Sequence, residues 1–153
     1  MTSKDNLQTQ DAAVGEDVTL DCHVGPYLIN FIKTVEWKFN DEVNVLVYKS
    51  KDFSRNDQEA HFRDRASKGD SWDFKTGELP VKIKSLQESD AGIYCCSVST
   101  LTGEDPKEII SIKLNVNEAV DKEKQAKDQT DTVFTLVLAT STLLTLLVRL
   151  KKH

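Results

Sequence analysis

The sequence has few histidines and cysteines, three of each in 153 residues, and they are not arranged as metal ligands. His23, His61 and His153 are scattered along the chain. No two cysteines have the C-x-x-C spacing of zinc sites, and the adjacent Cys95 and Cys96 have poor geometry for chelating one ion. We therefore predict no metal site and no cofactor.

The sequence also lacks an identifiable set of catalytic residues. Nucleophilic catalysis needs a serine or cysteine beside a base that a third group orients. The one thiol that could react, Cys95, has no histidine partner that the sequence identifies. Asp and Glu are abundant, but we expect most of them to be solvated. We predict that the protein is not an enzyme.

Positive charge is scarce in the first 116 residues, where 14 Lys and Arg stand against 20 Asp and Glu, a net charge of −6. Nucleic-acid phosphates require a basic face on the protein. We therefore exclude nucleic acid as a partner.

No segment before residue 132 has the 3.6-residue apolar period of a helix, but short segments alternate apolar with polar residues. This period of two is typical of half-buried strands. Strands are predicted at residues 18–22, 35–39, 79–83, 92–98 and 110–116, and at the β-branched and aromatic segment 44–49. Strands between turns, with no helix between them, indicate an all-β fold, an antiparallel sandwich.

The spacing of Cys22, Trp37 and the segment DAGIYCC at residues 90–96 resembles the immunoglobulin variable-type family. The resemblance implies that a disulfide joins the two sheets and that Trp37 packs on it. It also implies a tyrosine two residues before the second cysteine, which selects Cys96 over Cys95 because Tyr94 is at that position. Strand alternation agrees, since it puts Cys96 and Tyr94 on one face. Gly92 belongs to the same signature.

Three parts of the chain are similar to the butyrophilin and myelin-oligodendrocyte-glycoprotein group. They are the segment FRDRAS at residues 62–67, the glycine, leucine and aspartate positions from 77 to 92, and the segment YKSKD at 48–52. The similarity covers residues 13–116. It implies that Arg65 pairs with Asp90 across the bottom of the sandwich; the alternative is two unpaired surface charges. Members of the group modulate T-cell activation as counter-ligands, although they usually have a second, constant-type domain or a longer tail.

Residues 132–148 form an uncharged, largely apolar run, and Arg149, Lys151 and Lys152 follow it at once. Seventeen residues are the short end of what crosses a bilayer core. We predict one transmembrane helix with a cytoplasmic basic tail at 149–153 and a polar stalk at 117–131. A buried core helix and a glycolipid-anchor signal are the alternatives. Residues 1–12 form an N-terminal segment without a visible signal peptide, so we expect either a truncated start or a helix that inserts by itself.

Two loops and one strand residue are candidates for partner binding. The loop at 25–32 carries several large apolar residues, some of which should close the end of the sandwich while others form an exposed patch. Tyr48 is expected on the outer face of the front sheet, the sheet of Trp37 and Cys96, where aromatic residues often anchor interfaces. The alternative for each is ordinary packing. The candidates are Tyr27, Leu28, Ile29, Phe31, Tyr48 and, in the loop at 99–107, Leu101.

Cys95 is left over from the disulfide, and alternation sends its side chain to the same outer face. An exposed thiol in an oxidising compartment rarely stays free, so Cys95 could bridge two copies as a homodimer. The alternative is a thiol that neighbouring side chains shield or that a small thiol caps.

These features predict a cell-surface recognition protein with its immunoglobulin domain outside the plasma membrane and its partner, a protein receptor, on another cell. We expect a counter-ligand or co-receptor that modulates immune cells without signalling by itself, since the five-residue tail has no Tyr, Ser or Thr. The alternative is an adhesion molecule. An antigen-receptor chain is disfavoured, because residues 108–111 lack the Phe-Gly-x-Gly of such chains.

The membrane topology is testable with epitope tags. On intact cells, and with a signal peptide supplied, a tag before Asn6 should be stained by antibody. A tag after His153 should be stained only after permeabilisation, because the basic tail stays in the cytoplasm. Surface staining of the C-terminal tag would contradict the orientation, and release by a phospholipase specific for glycolipid anchors would contradict the helix.

Overall fold

The computed structural model describes residues 7–103, 105–119 and 151. Among the described residues from 7 to 119, nine strands, two single-turn α-helices and two 3-10 turns are present. The strands are β1 Leu7–Ala13, β2 Val18–Leu20, β3 Ile32–Phe39, β4 Val43–Lys49, β5 Asp52–Phe53, β6 Ala66–Lys68, β7 Val81–Ile83, β8 Gly92–Thr100 and β9 Lys107–Asn117. The helices are α1 Pro26–Ile29 and α2 Ala60–Arg63, and the 3-10 turns are Arg55–Asp57 and Glu88–Asp90.

The strands form two sheets. The front sheet has the order β1-β9-β8-β3-β4-β5, and the back sheet has the order β2-β7-β6. All pairs are antiparallel except β1 with β9, which run parallel. The predicted all-β sandwich is therefore confirmed. No strand was predicted at β1, because its residues LQTQDAA show no apolar alternation. All of β1 except Ala13 therefore lies in the segment that the sequence analysis placed before the domain.

The disulfide between Cys22 and Cys96 joins the two sheets, with 6.4 Å between the Cα atoms. Trp37 lies directly across from Cys96 in the β3–β8 pair. Both side chains are fully buried, and the indole Nε1 of Trp37 donates a hydrogen bond to the Leu79 carbonyl at 3.0 Å. A buried indole N–H needs such a partner. The predicted pairing of Cys22 with Cys96 is confirmed.

The core lies between the sheets and takes side chains from both. Its largest fully buried side chains include Leu20, Val35, Phe62, Leu79, Val81, Ile83, Leu86, Tyr94 and Leu114. Gly92 is required by a close approach: a β-carbon there would lie 2.5 Å from Cε2 of Phe39. Any side chain at Gly92 would therefore displace the Phe39 ring.

The ion pair between Arg65 and Asp90 is present at the end of the sandwich where α2 leads into β6. It is bidentate, with Nη1 to Oδ2 at 2.7 Å and Nη2 to Oδ1 at 2.8 Å. The fully buried carboxylate also accepts hydrogen bonds from the Gln87 backbone N–H at 2.8 Å and from His61 Nε2 at 2.7 Å. The Tyr94 hydroxyl donates to the Asp90 carbonyl at 2.6 Å. A buried charge is tolerated only with this degree of pairing.

These contacts set the direction of the Asp90 pKa. Burial opposes ionisation, but the hydrogen bonds from Arg65, the Gln87 backbone and His61 outweigh it, and they hold the pKa of Asp90 below its ordinary value. The carboxylate in turn raises the pKa of Arg65. Both groups are charged whenever the domain is folded near neutral pH.

The predicted stalk beyond Ala119, the predicted membrane segment at 132–148 and the tail other than Lys151 lie outside the described residues. Within the described part of the chain, no helix has the length and apolar character needed to cross a bilayer.

Replacing Cys22 by Ala should lower the free energy of unfolding by about 2–5 kcal/mol, because the unfolded chain loses its cross-link and the buried core loses its central contact. Urea unfolding followed by tryptophan fluorescence measures this. Cys95→Ala is the matched control and should cost less, since Cys95 is not bridged. Peptide mapping that joined Cys22 to Cys95 would contradict the pairing.

The Asp90 pairing should make stability depend on pH on the acid side. A carboxyl whose pKa is lower when folded stabilises the fold above its unfolded pKa, and this contribution disappears as pH falls through the folded value. Asp90→Asn should therefore cost roughly 3 kcal/mol at pH near 7, and less as the pH falls below about 4. Urea unfolding at a series of pH values measures both. The exposed Asp70→Asn should track the wild type, and an equal cost of Asp90→Asn at every pH would refute the role of ionisation.

Candidate functional site

Two loops meet at the end of the sandwich opposite the Arg65–Asp90 pair. One, residues 25–31, leads into β3, and the other, residues 101–106, joins β8 to β9. They meet because β3 and β8 are paired: the Leu101 backbone N–H donates to the Phe31 carbonyl at 2.9 Å. We call the described residues of these two loops, together with Lys107, the loop end.

The first loop contains the helical turn α1, whereas the sequence analysis predicted only a loop there. Pro26 begins the turn, as is favourable at the first helical position. The backbone N–H groups of Leu28 and Phe31 close the turn by donating to the carbonyls of Gly25 and Leu28, both at 3.0 Å. The Tyr27 ring lies against Gly25, where a β-carbon would be 2.9 Å from the ring atom Cε1. Hydrogen bonds within the turn and the contact of Tyr27 with Gly25 therefore fix the conformation of this loop.

Three apolar side chains of the loop end are exposed. Tyr27 is 72% exposed, Leu101 68% and Phe31 51%. The other two candidates of this loop, Leu28 and Ile29, are half-buried. Leu28 packs on the core, and Ile29 lies against Gly77, with its Cδ1 3.3 Å from where a β-carbon would be. The loop therefore both closes the sandwich and presents an apolar surface.

Two recesses of about 200 Å³ each flank this surface and share Leu28 and Lys107 in their walls. The first is mainly apolar and is lined by Leu28, Phe31, Val98, Thr100, Thr102, Asp105 and Lys107. The second is more polar and is lined by His23, Val24, Gly25, Tyr27, Leu28, Lys107, Glu108 and Ile109. The first recess, which is apolar with a few charged groups at its rim, suits the side chains of a protein partner better than a small polar metabolite.

Tyr48 is not on the outer face of the front sheet, so that expectation was wrong. It pairs with the core-facing Val35, and its ring packs on Phe53, Trp72 and Phe74 with centroids 5.3, 6.3 and 4.9 Å away. The cause is an irregularity in the β3–β4 register between Trp37 and Lys38, which reverses the faces of β4 beyond it. The structure uses Tyr48 for packing.

The sequence carried a signal for this irregularity. Val45, Leu46 and Val47 are three consecutive apolar residues, and all three are buried. Strict alternation in a half-exposed strand would not give such a run. A bulged strand places two successive residues opposite one partner residue, and a run of apolar residues is one consequence.

Cys95 does lie on the outer side of β8, opposite Lys38 and Ser111, but its expected exposure was wrong. The residue is only 5% exposed, and its Sγ is 3.1 Å from Ser111 Oγ and 3.7 Å from the Asp41 carboxylate. Burial raises the pKa of the thiol, and the carboxylates of Glu108 and Asp41 raise it further. Of the two alternatives, the structure favours the shielded free thiol over a bridge between two copies.

One of the groups beside Cys95, the Asp41 carboxylate, belongs to a turn that the sequence analysis did not interpret. Asn40 and Asp41 have φ values of 49° and 63°, the left-handed conformation of both central residues in a tight hairpin. Asn and Asp are the residues that accept it most readily apart from glycine. The turn joins β3 to β4 and brings the Asp41 carboxylate to the thiol.

Among residues 7–103, 105–119 and 151, no three His, Cys, Asp or Glu side chains are grouped so that they could hold a metal ion. Beside the loop end, His23 Nδ1 lies 2.8 Å from Glu78 Oε1. The chemistry that the loop end offers is therefore apolar contact with a charged rim.

Comparison with known proteins agrees with the fold. The family model for the immunoglobulin V-set domain matches residues 6–117. Among solved structures, the human B7-H4 IgV-like domain is similar at 20% identity and a TM-score of 0.53, over 71% of this chain and 91% of that one. The NK cell receptor NKp44 is similar at 17% identity and a TM-score of 0.56, over 72% of this chain and 98% of that one. No curated protein matches the chain in sequence.

At these identities, the two structures establish the shared fold. The variable-type assignment from the cysteine and tryptophan spacing is confirmed. The finer similarity to the butyrophilin and myelin-oligodendrocyte-glycoprotein group stays a prediction.

Proposed function

The chain belongs to the immunoglobulin V-set family, and on that premise we propose that it is a cell-surface recognition protein that modulates immune cells. Its V-set domain is displayed outside the plasma membrane, and the run at 132–148 anchors it with the C-terminus in the cytoplasm. It acts as a counter-ligand or co-receptor for a protein on another cell, without signalling by itself. Binding, and not catalysis, is its activity.

One observation carries the proposal: exposed apolar side chains are concentrated at the loop end. The described residues include five exposed large hydrophobic side chains, and three of them, Tyr27, Phe31 and Leu101, belong to the loop end. Exposed apolar residues scattered singly need no explanation, but a group of them beside recesses marks an interaction site. Aromatic side chains are also the commonest energetic anchors of protein interfaces.

The rim of this surface defines the kind of partner. Asp105, Lys107 and Glu108 carry both signs of charge around the recesses. Mixed rim charges favour one orientation of a protein partner and exclude surfaces of uniform charge. The apolar side chains would supply most of the affinity, and the rim would supply the specificity.

The comparisons support the proposal at the level of fold. NKp44 is described as an NK cell receptor and a triggering partner in natural cytotoxicity, so an immune receptor is built on the fold that this chain has. The two disulfide-bonded cysteines suit the oxidising extracellular compartment in which such receptors act.

The loop end can be tested with the full chain expressed on cells and a panel of soluble receptor ectodomains from lymphocytes. Any receptor that binds should lose affinity by about tenfold or more with the double variant Tyr27→Ser and Leu101→Ser, because two exposed anchors are removed. Flow cytometry at a series of receptor concentrations measures the change.

The matched control is the double variant Leu7→Ser and Ile93→Ser, which removes the two exposed hydrophobic residues outside the loop end. It should leave binding unchanged. Equal losses in both variants, or a loss only in the control, would move the interface away from the loop end. Aggregation of expressing cells with each other, without any receptor binding, would replace the counter-ligand with the adhesion alternative.

A further inference from the structure

A further cavity lies away from the loop end. It is an open cleft of about 390 Å³ between the edges of the two sheets, and it touches β4, β5, α2 and β6. None of its lining residues belongs to the loop end, so the proposed receptor surface leaves it unused. The lining residues are Leu46, Phe53, Arg55, Gln58, Arg63, Asp64, Arg65, Ala66, Ser67, Lys68 and Lys84.

The charge of this cleft is opposite to that of the domain. Its lining contains five cationic side chains and one carboxylate, whereas residues 1–116 have a net charge of −6. Two of the cations are already paired: Arg55 with the Asp64 carboxylate of the cleft, and Arg65 with Asp90 behind it. The other three are Arg63, Lys68 and Lys84.

These three cations have no carboxylate within ion-pair distance among the described residues. Among the described residues, the Arg63 side chain makes only one hydrogen bond, from Nη2 to the Gln58 carbonyl at 3.2 Å, and its buried Nε has no partner. Lys68 and Lys84 are exposed at the cleft. Three like charges around one cleft repel each other, and an anion would remove that repulsion.

We propose that this cleft binds a sulfated oligosaccharide. Guanidinium and ammonium groups make charge-assisted hydrogen bonds with sulfate oxygens. The three cations come from α2, from β6 and from the segment after β7, so a chain with several spaced sulfate groups fits them better than one small anion. The choice of a glycan rests on the proposed function, because sulfated sugars are the abundant polyanions outside cells.

The apolar part of the cleft lining would accommodate the sugar ring. Leu46, Phe53 and Ala66 line it beside the charged groups. Apolar and aromatic surface packs on the C–H faces of a sugar, while the cations at the rim hold its sulfates. A receptor at the loop end and a glycan in the cleft use separate residues, so both ligands can be bound together.

The test uses the full chain in neutral detergent and a heparin-derived octasaccharide, with its fully desulfated form as the ligand control. Calorimetric titration at about 0.15 M salt should show binding of the sulfated form only, and the affinity should fall as salt rises. The double variant Lys68→Gln and Lys84→Gln should weaken binding by about tenfold or more, because both residues are exposed and act through charge.

The matched control variant is Lys33→Gln and Lys75→Gln, which removes the same charge from exposed positions outside the cleft. It should bind the octasaccharide like the wild type. Equal weakening by both lysine pairs, binding of the desulfated sugar, or no binding at all would overturn the proposal.

Vesicles containing phosphatidylserine test the other source of anionic groups. Cleft-dependent binding to these vesicles without binding to the octasaccharide would also overturn the proposal. The Tyr27→Ser and Leu101→Ser variant separates the two sites: it should keep glycan binding while it loses receptor binding. A loss of receptor binding and a loss of glycan binding can therefore be measured separately.

Discussion

The bridge between Cys22 and Cys96 is the constraint on which the rest of the domain depends. It ties the back sheet to β8, the strand that pairs with both β3 and β9 in the front sheet. Trp37 is buried across from Cys96, and its indole donates to the Leu79 carbonyl, so the same region has a second contact between the sheets. The two loops of the loop end emerge from β3 and β8, so their contact between Phe31 and Leu101 follows from the same pairing.

The Arg65–Asp90 pair fixes the opposite end by a different means. The guanidinium also donates to the carbonyls of His61, Lys84 and Ser85, so one side chain ties α2, β6 and the turn after β7 together. Arg65 stacks on Phe62 at 5.6 Å from the ring centroid. Arg65 and Lys84 both line the cleft, so these contacts also fix part of its wall. The two proposed binding surfaces can differ because different contacts hold each of them in place.

The sequence predicted those parts of the fold that follow from periodicity or from a spaced motif. Alternation located most strands of both sheets, and the positions of Cys22, Trp37 and Tyr94 selected the disulfide. Three features escaped because they depend on a local departure from regularity. A register shift turned Tyr48 inward, a left-handed turn at Asn40 and Asp41 placed a carboxylate beside Cys95, and a polar edge strand, β1, paired in parallel with β9. The loop-end candidates were identified as a group, but only the structure separates the exposed Tyr27, Phe31 and Leu101 from the half-buried Leu28 and Ile29.

The cleft escaped for a related reason, since its residues are dispersed between positions 46 and 84 and have no motif spacing. It exists because the sheet edges there are short: β5 has two residues and β6 has three, so hydrogen-bonded strands do not close the gap between the sheets. Long basic side chains can cover apolar surface with their stems while their charged heads reach water. That packing role accounts for the stems of Lys68, Lys84 and Arg63, but a neutral head on the same stem would serve it equally well. Packing therefore does not explain the excess of positive charge, and the proposed anionic ligand would give a physical reason for three cations to lie together on an acidic domain.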